Sequence, residues 1–403
     1  MNVLVLNCGS SSIKYQLLSM SGDDNRVLAK GIVERVGLPE GVMVHKPVGK
    51  AVFELKKSFP DHSCGIDAIL NALTDKEHGV INDIQNIDAV GHRVAHGGEY
   101  FSDSVLIDEQ TKINIDKCSD LAPLHNPANL KGIVSMEKLL PNVSQVAVFD
   151  TSFHQTIPLK ACLYAIPYEL YEQYRIRRYG FHGTSHKFVA AKACKMAGLD
   201  INNSKIVTCH MGNGVSVTAI QNGKSIDTSM GMTPLEGAVM GTRCGDIDAG
   251  VITYLQQEKN LSASEINSFL NKNCGIYGIS GISSDMRDLW SNCDSERARL
   301  AIDIFIYRIA KYVGAYAAAM NGLDMVVYTG GIGENDWDVR LGISKHLEFL
   351  GAKIDAELND GLRIDKIISL PDSKIKLALA ETNEELVIAT DTANIVTKIK
   401  AGK

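Results

Sequence analysis

Short apolar runs recur along the chain between stretches with the spacing of amphipathic helices. VLVL (Val3–Leu6), IDAVGHRVAH, QVAVFD (Gln145–Asp150) and MVVYT read as strands, the third ending on an acid. A helix is expected around Ile66–Leu73, and another from Pro127 to Leu140, with Asn126 as N-cap and proline at the first helical position. Thr184–Ala197 reads as a helix stopped by Gly198. Ser295–Asn321 is the longest helical pattern, closed by Gly322. Strands alternating with helices in this way predict an α/β fold.

One pattern occurs twice. VLVL-NCGSSS-IKYQLL reads as strand, small-residue turn, strand, and KIVTCH-MGNG-VSVTAI repeats it in the second half. Two β-hairpins with glycine-containing tips predict two domains of similar plan. The 403 residues leave room for them, since at about 150 residues per domain the prior is two or three.

Composition narrows the function. Hydrophobic residues at 45% and charged residues at 22% exclude wholesale disorder. With 41 basic against 47 acidic side chains the net charge is −6, the wrong sign for a protein whose main task is to coat nucleic acid or an anionic membrane. No apolar stretch reaches the roughly 18 residues of a spanning helix. MNVLVLNCGSS has neither the basic start nor the apolar length of a secretory signal. Nine cysteines between Cys8 and Cys293 form no C-x-x-C pair and read as reduced thiols, which makes a cytoplasmic protein the expectation.

Seven of the eleven histidines fall between His92 and His210, in the blocks GHRVAHGGEYF, APLHNPAN, FDTSFHQT, RRYGFHGTSH and CHMGNG. Histidines cluster wherever loops cluster; an active site is the alternative. The tips Asn7–Ser12 and His210–Gly214 can present several backbone N–H groups to phosphate oxygens, with Lys14 adding a charge. Neither tip is a Walker loop. Gly331-Ile332-Gly333 resembles a dinucleotide fingerprint, but position 336 is Asp, not Gly. Together the three glycine loops favour a nucleotide polyphosphate over plain turns. Arg93 and Arg243, framed by glycines, suit a planar carboxylate or phosphate oxygens; an ion pair with Asp246 or Glu236 is the structural alternative for Arg243. Arg177 and Arg178 read as a solvated or interface pair. His182 and His186 share zinc-helix spacing, but Gly183 stands where that motif needs glutamate. His182 reads instead as lying just ahead of a helix capped by Thr184 or Ser185, where negative charge is favoured. Asp150 closes a buried strand. Glu384 fits either a metal site or a helix start in which Thr382 and Glu385 form a capping box. Nucleotide chemistry would need Mg²⁺ on one or two oxygen ligands and the phosphates.

These blocks, with HMGNGVSVTAIQNGKSIDTSMGMTPLEG, MGTRCGDID, GISSDMR, YTGGIGEN and ETNEEL, occur in the same order in acetate kinases, and the resemblance spans essentially the whole chain. It implies an α/β fold of two similar actin-like (ribonuclease H-like) lobes with an active-site cleft between them. The N-terminal lobe would be 1–150, with a C-terminal helix of about 383–403 returning to it, and the nucleotide-binding lobe 151–382. It implies Mg²⁺-dependent phosphoryl transfer from ATP to acetate, with Mn²⁺ as a substitute metal and a homodimer as the usual assembly. Residue by residue, Arg93 would bind the acetate carboxylate, while Ala95, Leu124, Phe181 and Pro234 would line its methyl pocket. His182 and Arg243 would stabilise the phosphoryl group, and Asn7 and Glu384 would position the metal. Lys14, His210, Met211, Gly212, Asn213, Gly214, Asp285, Met286, Arg287, Gly331, Ile332, Gly333, Glu334 and Asn335 would hold ATP. Asp150 would be the active-site acid. Acetate is already ionised at neutral pH and needs no general base, so the expected role of Asp150 is to orient the metal or its waters.

Ala95 occupies a position where many acetate kinases carry valine and propionate kinases of the family tend to carry alanine. A propionate kinase is therefore the alternative reading. An Hsp70-like or actin-like ATPase would leave Arg93 without a task, and a sugar kinase would need Asp150 as a base for a hydroxyl.

Overall fold

The computed structural model describes residues 1–22, 24–361 and 365–402 and divides into two units, Met1–Ser152 with Asn383–Lys403, and Phe153–Thr382. Lys403, the last residue of the expected C-terminal helix, and 362–364 within the expected nucleotide lobe lie outside the described residues, as does 23.

The first unit carries β1 (Asn2–Cys8), β2 (Ser12–Ser19), β3 (Arg26–Glu34), β4 (Gly41–Pro47), β5 (Phe53–Lys57), β6 (Ala89–Val94), β7 (Val105–Leu106) and β8 (Ser144–Phe149). They form one sheet in the order β5-β4-β3-β2-β1-β6-β8-β7. β1 to β5 form an antiparallel meander, while β6 and β8 run parallel to β1. Side chains alternate across a strand, so β1 feeds two cores. Leu4 and Leu6 join Ile66, Ile69 and Leu73 of the helix His62–Thr74 and Met136 of the helix Asn126–Leu139. Val3 and Val5 face the other way, onto Ile388, Ala389 and Val396 of the helix Glu384–Ala401. Each buried Val, Leu, Ile or Met among these stabilises the unit by about 1.5–3 kcal/mol.

The second unit repeats the plan with β9 (Lys205–Met211), β10 (Val215–Gln221), β11 (Lys224–Thr228), β12 (Met325–Thr329), β13 (Lys366–Ile367) and β14 (Lys376–Leu379), in the order β11-β10-β9-β12-β14-β13. β9, β10 and β11 are antiparallel, and β12 and β14 lie parallel to β9. Val207 and Cys209 pack with Phe305, Ile309 and Val313 of the helix Glu296–Ala319, and Ile206 and Ile220 with Val189 and Ala193 of the helix Gly183–Ala197. Both glycine-tipped hairpins of the sequence are present, as β1–β2 and β9–β10.

Three helix starts differ from expectation. His125, not Asn126, occupies the N-cap of Asn126–Leu139, because the Asn126 side chain is spent elsewhere: its Oδ1 accepts from His96 N–H at 3.1 Å and its Nδ2 donates to the His96 carbonyl at 2.8 Å. Thr184 and Ser185 lie inside their helix, whose N-cap is His182 itself. Thr382 and Glu385 form no capping box; Asn383 caps Glu384–Ala401 by accepting from Leu386 N–H at 3.0 Å. Arg177 and Arg178 are not a solvated pair either, since Arg177 is buried and Arg178 bonds Glu236 at 2.6 Å. Among the described residues no helix is long and apolar enough to cross a membrane.

The C-terminal helix lies tight against the sheet at Gly91 of β6, where an added Cβ would fall 2.5 Å from Thr392 Oγ1 and 2.7 Å from Ile388 Cγ2. Gly91→Ala should cost about 1–3 kcal/mol by overpacking this seam. A fall in the urea unfolding midpoint checks it, and an unchanged midpoint would mean the helix yields freely.

Candidate active site

Strands buried on both faces can present polar groups only where they end, and in open α/β sheets that is where ligands bind. In the first unit Arg93 lies one residue from the end of β6, and Asp150 follows the last residue of the neighbouring parallel β8. Arg93 Nε and Nη2 donate to Asp150 Oδ1 and Oδ2 at 3.0 and 2.6 Å, a bidentate pair with the Asp150 side chain almost fully buried. The Asp150 charge, with Glu384 and Glu385 adding to it, holds the guanidinium above its ordinary range. Asp150 is thus committed to Arg93, a partnership that the reading of the sequence missed.

Arg93, Asn7, Lys14, Glu384 and Glu385 line one small cavity of about 20 Å³ with Val5, Tyr15 and Ile388. Asn7 and Lys14 face each other across the β1–β2 hairpin. Burial raises the Glu384 carboxyl above its ordinary range; the Arg93 charge opposes the shift, and the Asp150 charge adds to it. Among the described residues no cluster of three or more His, Cys, Asp or Glu is placed to hold a metal ion. The cavity offers hard oxygen donors in Glu384 and Asn7, few in number, which fits a metal held mainly by phosphates and water.

The loop after β6 is clamped by the NPAN block. Asn129 Oδ1 accepts from Ala95 N–H at 3.0 Å, its Nδ2 donates to the Cys8 carbonyl at 2.7 Å, and Asn126 holds both backbone groups of His96. Ala95 is half-buried, whereas Leu124 is 70% exposed.

In the second unit the β9–β10 tip gathers the other predicted residues. Gly214 lies between the Arg243 guanidinium and the His182 imidazole: a Cβ there would be 3.4 Å from both Arg243 Nη1 and His182 Cε1. Arg243 Nη1 donates to the Pro234 carbonyl at 3.1 Å, and among the described residues it makes no ion pair. The carboxylates named as its alternatives are engaged elsewhere, Glu236 by Arg178 and Asp246 by Tyr312 and Gly237 N–H. Burial lowers the Arg243 pKa, so an anion brought to it meets a poorly solvated cation. His182 is left-handed at φ +57°, a strained conformation for a non-glycine residue and one found at functional sites. Its ring stacks on His210 with centroids 4.2 Å apart. Phe181 belongs to the core beside it.

The loop after β12 is a short helix, Gly330–Asn335, not an open fingerprint turn. Gly330 has φ +77°, and a Cβ there would come within 2.8 Å of the Met211 backbone, so only glycine lets the two loops meet. A Cβ on Gly331 would meet nothing within 4 Å, so this glycine faces open space. Glu334 points inward, accepting from Gly330 and Thr382 N–H at 3.0 and 3.1 Å, which makes it a support of the loop. Ile332 packs on the core, Gly333 against Met211, and Asn335 Nδ2 donates to the Gly331 carbonyl at 2.6 Å. Gly212 N–H closes the other tip on the Gly214 carbonyl at 3.0 Å, and Asn213 O accepts from Gly241 N–H at 3.0 Å. Asp285 caps the helix Met286–Ser291 and pairs with the exposed Arg287 at 2.6 Å, while Met286 is buried.

Two sheets of one strand plan, each with a small-residue tip at the end of its first strand, define a duplicated actin-like α/β fold. The chain belongs to the Acetokinase family, whose model matches residues 2–390. It is 54% identical over 404 residues to an acetate kinase of Thermotoga maritima, with 99% of this chain and all of that protein covered. To an acetate kinase of Caldanaerobacter subterraneus it is 52% identical, over 99% of this chain and all of that protein. Among solved structures, Porphyromonas gingivalis acetate kinase superposes with a TM-score of 0.95 at 48% identity, covering 98% of this chain and 99% of that one. A propionate kinase from Francisella tularensis superposes at 0.89 with 42% identity and the same coverage.

Because the raised Glu384 carboxyl is charged in the folded state only above its shifted range, its burial costs stability at high pH and nothing once pH falls below the ordinary carboxylate range. Glu384→Gln should therefore raise Tm at about pH 8, with the gain fading toward about pH 4. A gain independent of pH in thermal melts would contradict the buried charge.

Proposed function

We propose that this chain is a phosphotransferase with a carboxyl acceptor, moving the γ-phosphoryl of ATP to acetate, reversibly, to give ADP and acetyl phosphate. The observation that carries the reading is the Arg93–Asp150 pair. Two of the five guanidinium N–H donors are held by Asp150, which fixes the plane of the group and leaves three for a second carboxylate. In the in-line step an acetate oxygen lone pair forms a bond to the γ-phosphorus as the bond to the bridging oxygen breaks and that electron pair leaves with ADP. Charge spreads over three equatorial oxygens, so stabilising it needs positioned donors more than a base. His182 and Arg243 supply those donors. Lys14, the tip His210–Gly214, Asp285–Arg287 and Gly331–Asn335 hold the nucleotide, with Glu334 and Met286 acting through the loops they support. Glu384 and Asn7 would hold Mg²⁺, directly or through water, and the ion would supply neutralisation of the phosphate charge. A homodimer and a cytoplasmic location complete the reading.

Asp150 then positions Arg93, the metal or both. Asp150→Asn should lower kcat/KM for acetate by roughly a hundredfold, since a small misplacement of a clamp costs that much. A rise in acetate KM alone assigns it to Arg93, and a shifted Mg²⁺ dependence assigns it to the metal. Near-normal activity with unchanged Mg²⁺ dependence removes it from the site.

Propionate phosphorylation is the second reading, favoured by the small Ala95 side chain and the propionate kinase among the structural neighbours. Acetate should be preferred with appreciable propionate turnover, because one methylene is worth about 1–3 kcal/mol of discrimination at most. Side-by-side kcat/KM values at saturating Mg-ATP decide between them. Ala95→Val should lower propionate turnover more than acetate turnover, and equal losses would exclude Ala95 from the acyl pocket.

A further inference from the structure

Three buried polar side chains of the second unit lie beneath the His182 ring and have no role in the reading above. The Ser216 hydroxyl is 2.8 Å from His182 Nδ1 and 2.7 Å from His186 Nε2, and His186 Nδ1 is 2.7 Å from the Thr208 hydroxyl. Ser216, His186 and Thr208 are all completely buried. Burial pushes His186 well below the ordinary imidazole range, with His154 and His210 adding to the shift. Its ring is therefore neutral, with one proton to share between two hydroxyl neighbours.

Counting donors orders the hydrogens. A buried donor left without an acceptor is costly, and a spare oxygen lone pair is better tolerated. Among the described residues, His186 Nδ1 is the hydrogen-bond partner of the Thr208 side chain, so Thr208 donates to it. His186 then carries its proton on Nε2 and donates to Ser216 Oγ. The Ser216 proton has His182 Nδ1 as its remaining acceptor. With Nδ1 accepting from Ser216, the His182 ring carries its proton on Nε2. That nitrogen lies 3.5 Å, and Arg243 Nη1 3.4 Å, from the point a Cβ on Gly214 would occupy. The reverse order would strand the Thr208 proton and turn a His182 lone pair toward the glycine tip. The same count orders the stacked ring: Thr382 donates to Ser185 at 2.9 Å and Ser185 to His210 Nδ1 at 2.8 Å.

We propose that Thr208, His186 and Ser216 form a tautomer lock that makes His182 an Nε2–H donor to the phosphoryl oxygens, with Ser216 as the positioning residue. The lock rests on the reading of His182 as a phosphoryl donor, but its state is readable without turnover. Nitrogen-15 NMR of histidine-labelled enzyme, with His182 assigned through His182→Gln, should show Nδ1 bare and Nε2 protonated. Ser216→Ala should mix the tautomers and lower kcat roughly tenfold to a hundredfold, with KM for ATP and acetate within about twofold of wild type. Thr208→Ser should keep both tautomer and rate, while Thr208→Val should lose the lock. An Nδ1–H tautomer in the wild type, or a Ser216→Ala enzyme with unchanged tautomer and kcat, would overturn the proposal. Undiminished kcat in His182→Gln would overturn instead the role of His182 on which the lock depends, with the NMR still deciding the tautomer.

Discussion

A parallel strand covered on both faces has nowhere along its length to keep a charge. β1, β6 and β8 in one unit, and β9, β12 and β14 in the other, are packed from both sides. Charged and hydrogen-bonding groups are therefore driven to the carboxyl ends: Asn7 on β1, Arg93 on β6, Asp150 after β8, His210 on β9 and Thr329 on β12. Once there, they are still poorly hydrated, and each needs a partner. Arg93 finds Asp150, the backbone around Ala95 and His96 finds two asparagines, and Gly330 N–H finds Glu334. The chemistry of each unit is set up by this single exclusion, acting twice.

The exceptions are as informative as the rule. Thr208 and Ser216 sit inside β9 and β10, fully buried, where apolar side chains would pack better. Their hydroxyls are tolerated because they close a hydrogen-bonded chain through His186. A fully satisfied buried network of this kind rigidifies its members, whereas a partly satisfied one would be worse than an apolar core. The left-handed His182 backbone at the top of the same chain is held by that support.

Much of this was legible in the residues themselves. The alternation in VLVL and KIVTCH, and the glycines between paired strands, marked both hairpins, and the acid after QVAVFD marked a strand end. The order of strands in each sheet was not, because β1 and β6 meet through pairings across more than eighty residues that no local pattern records. Helix starts failed for a common reason. Asn126, Ser185 and Thr382 look like caps, yet each side chain is taken by a more distant partner. Arg178 looked solvated because its partner Glu236 lies 58 residues on. One local signal was available and passed over: Thr208 and His210, then Ser216 and Thr218, are polar residues two apart within apolar strands, the mark of a shared polar face.

The return of Glu384–Ala401 to the first sheet also fixes an order of assembly. Val3 and Val5 emerge early during synthesis, but the residues that cover their face, Ile388, Ala389 and Val396, follow only after every strand of the second unit has been made. At roughly 5–20 residues per second that face waits on the order of tens of seconds. The unit that begins first is thus completed last, and a nascent chain stopped at Thr382 carries an uncovered apolar sheet. Glu384, at the start of the same helix, reaches the Asn7 and Arg93 cavity only at that final docking, so the residue expected to receive the metal is delivered by the closing step of folding.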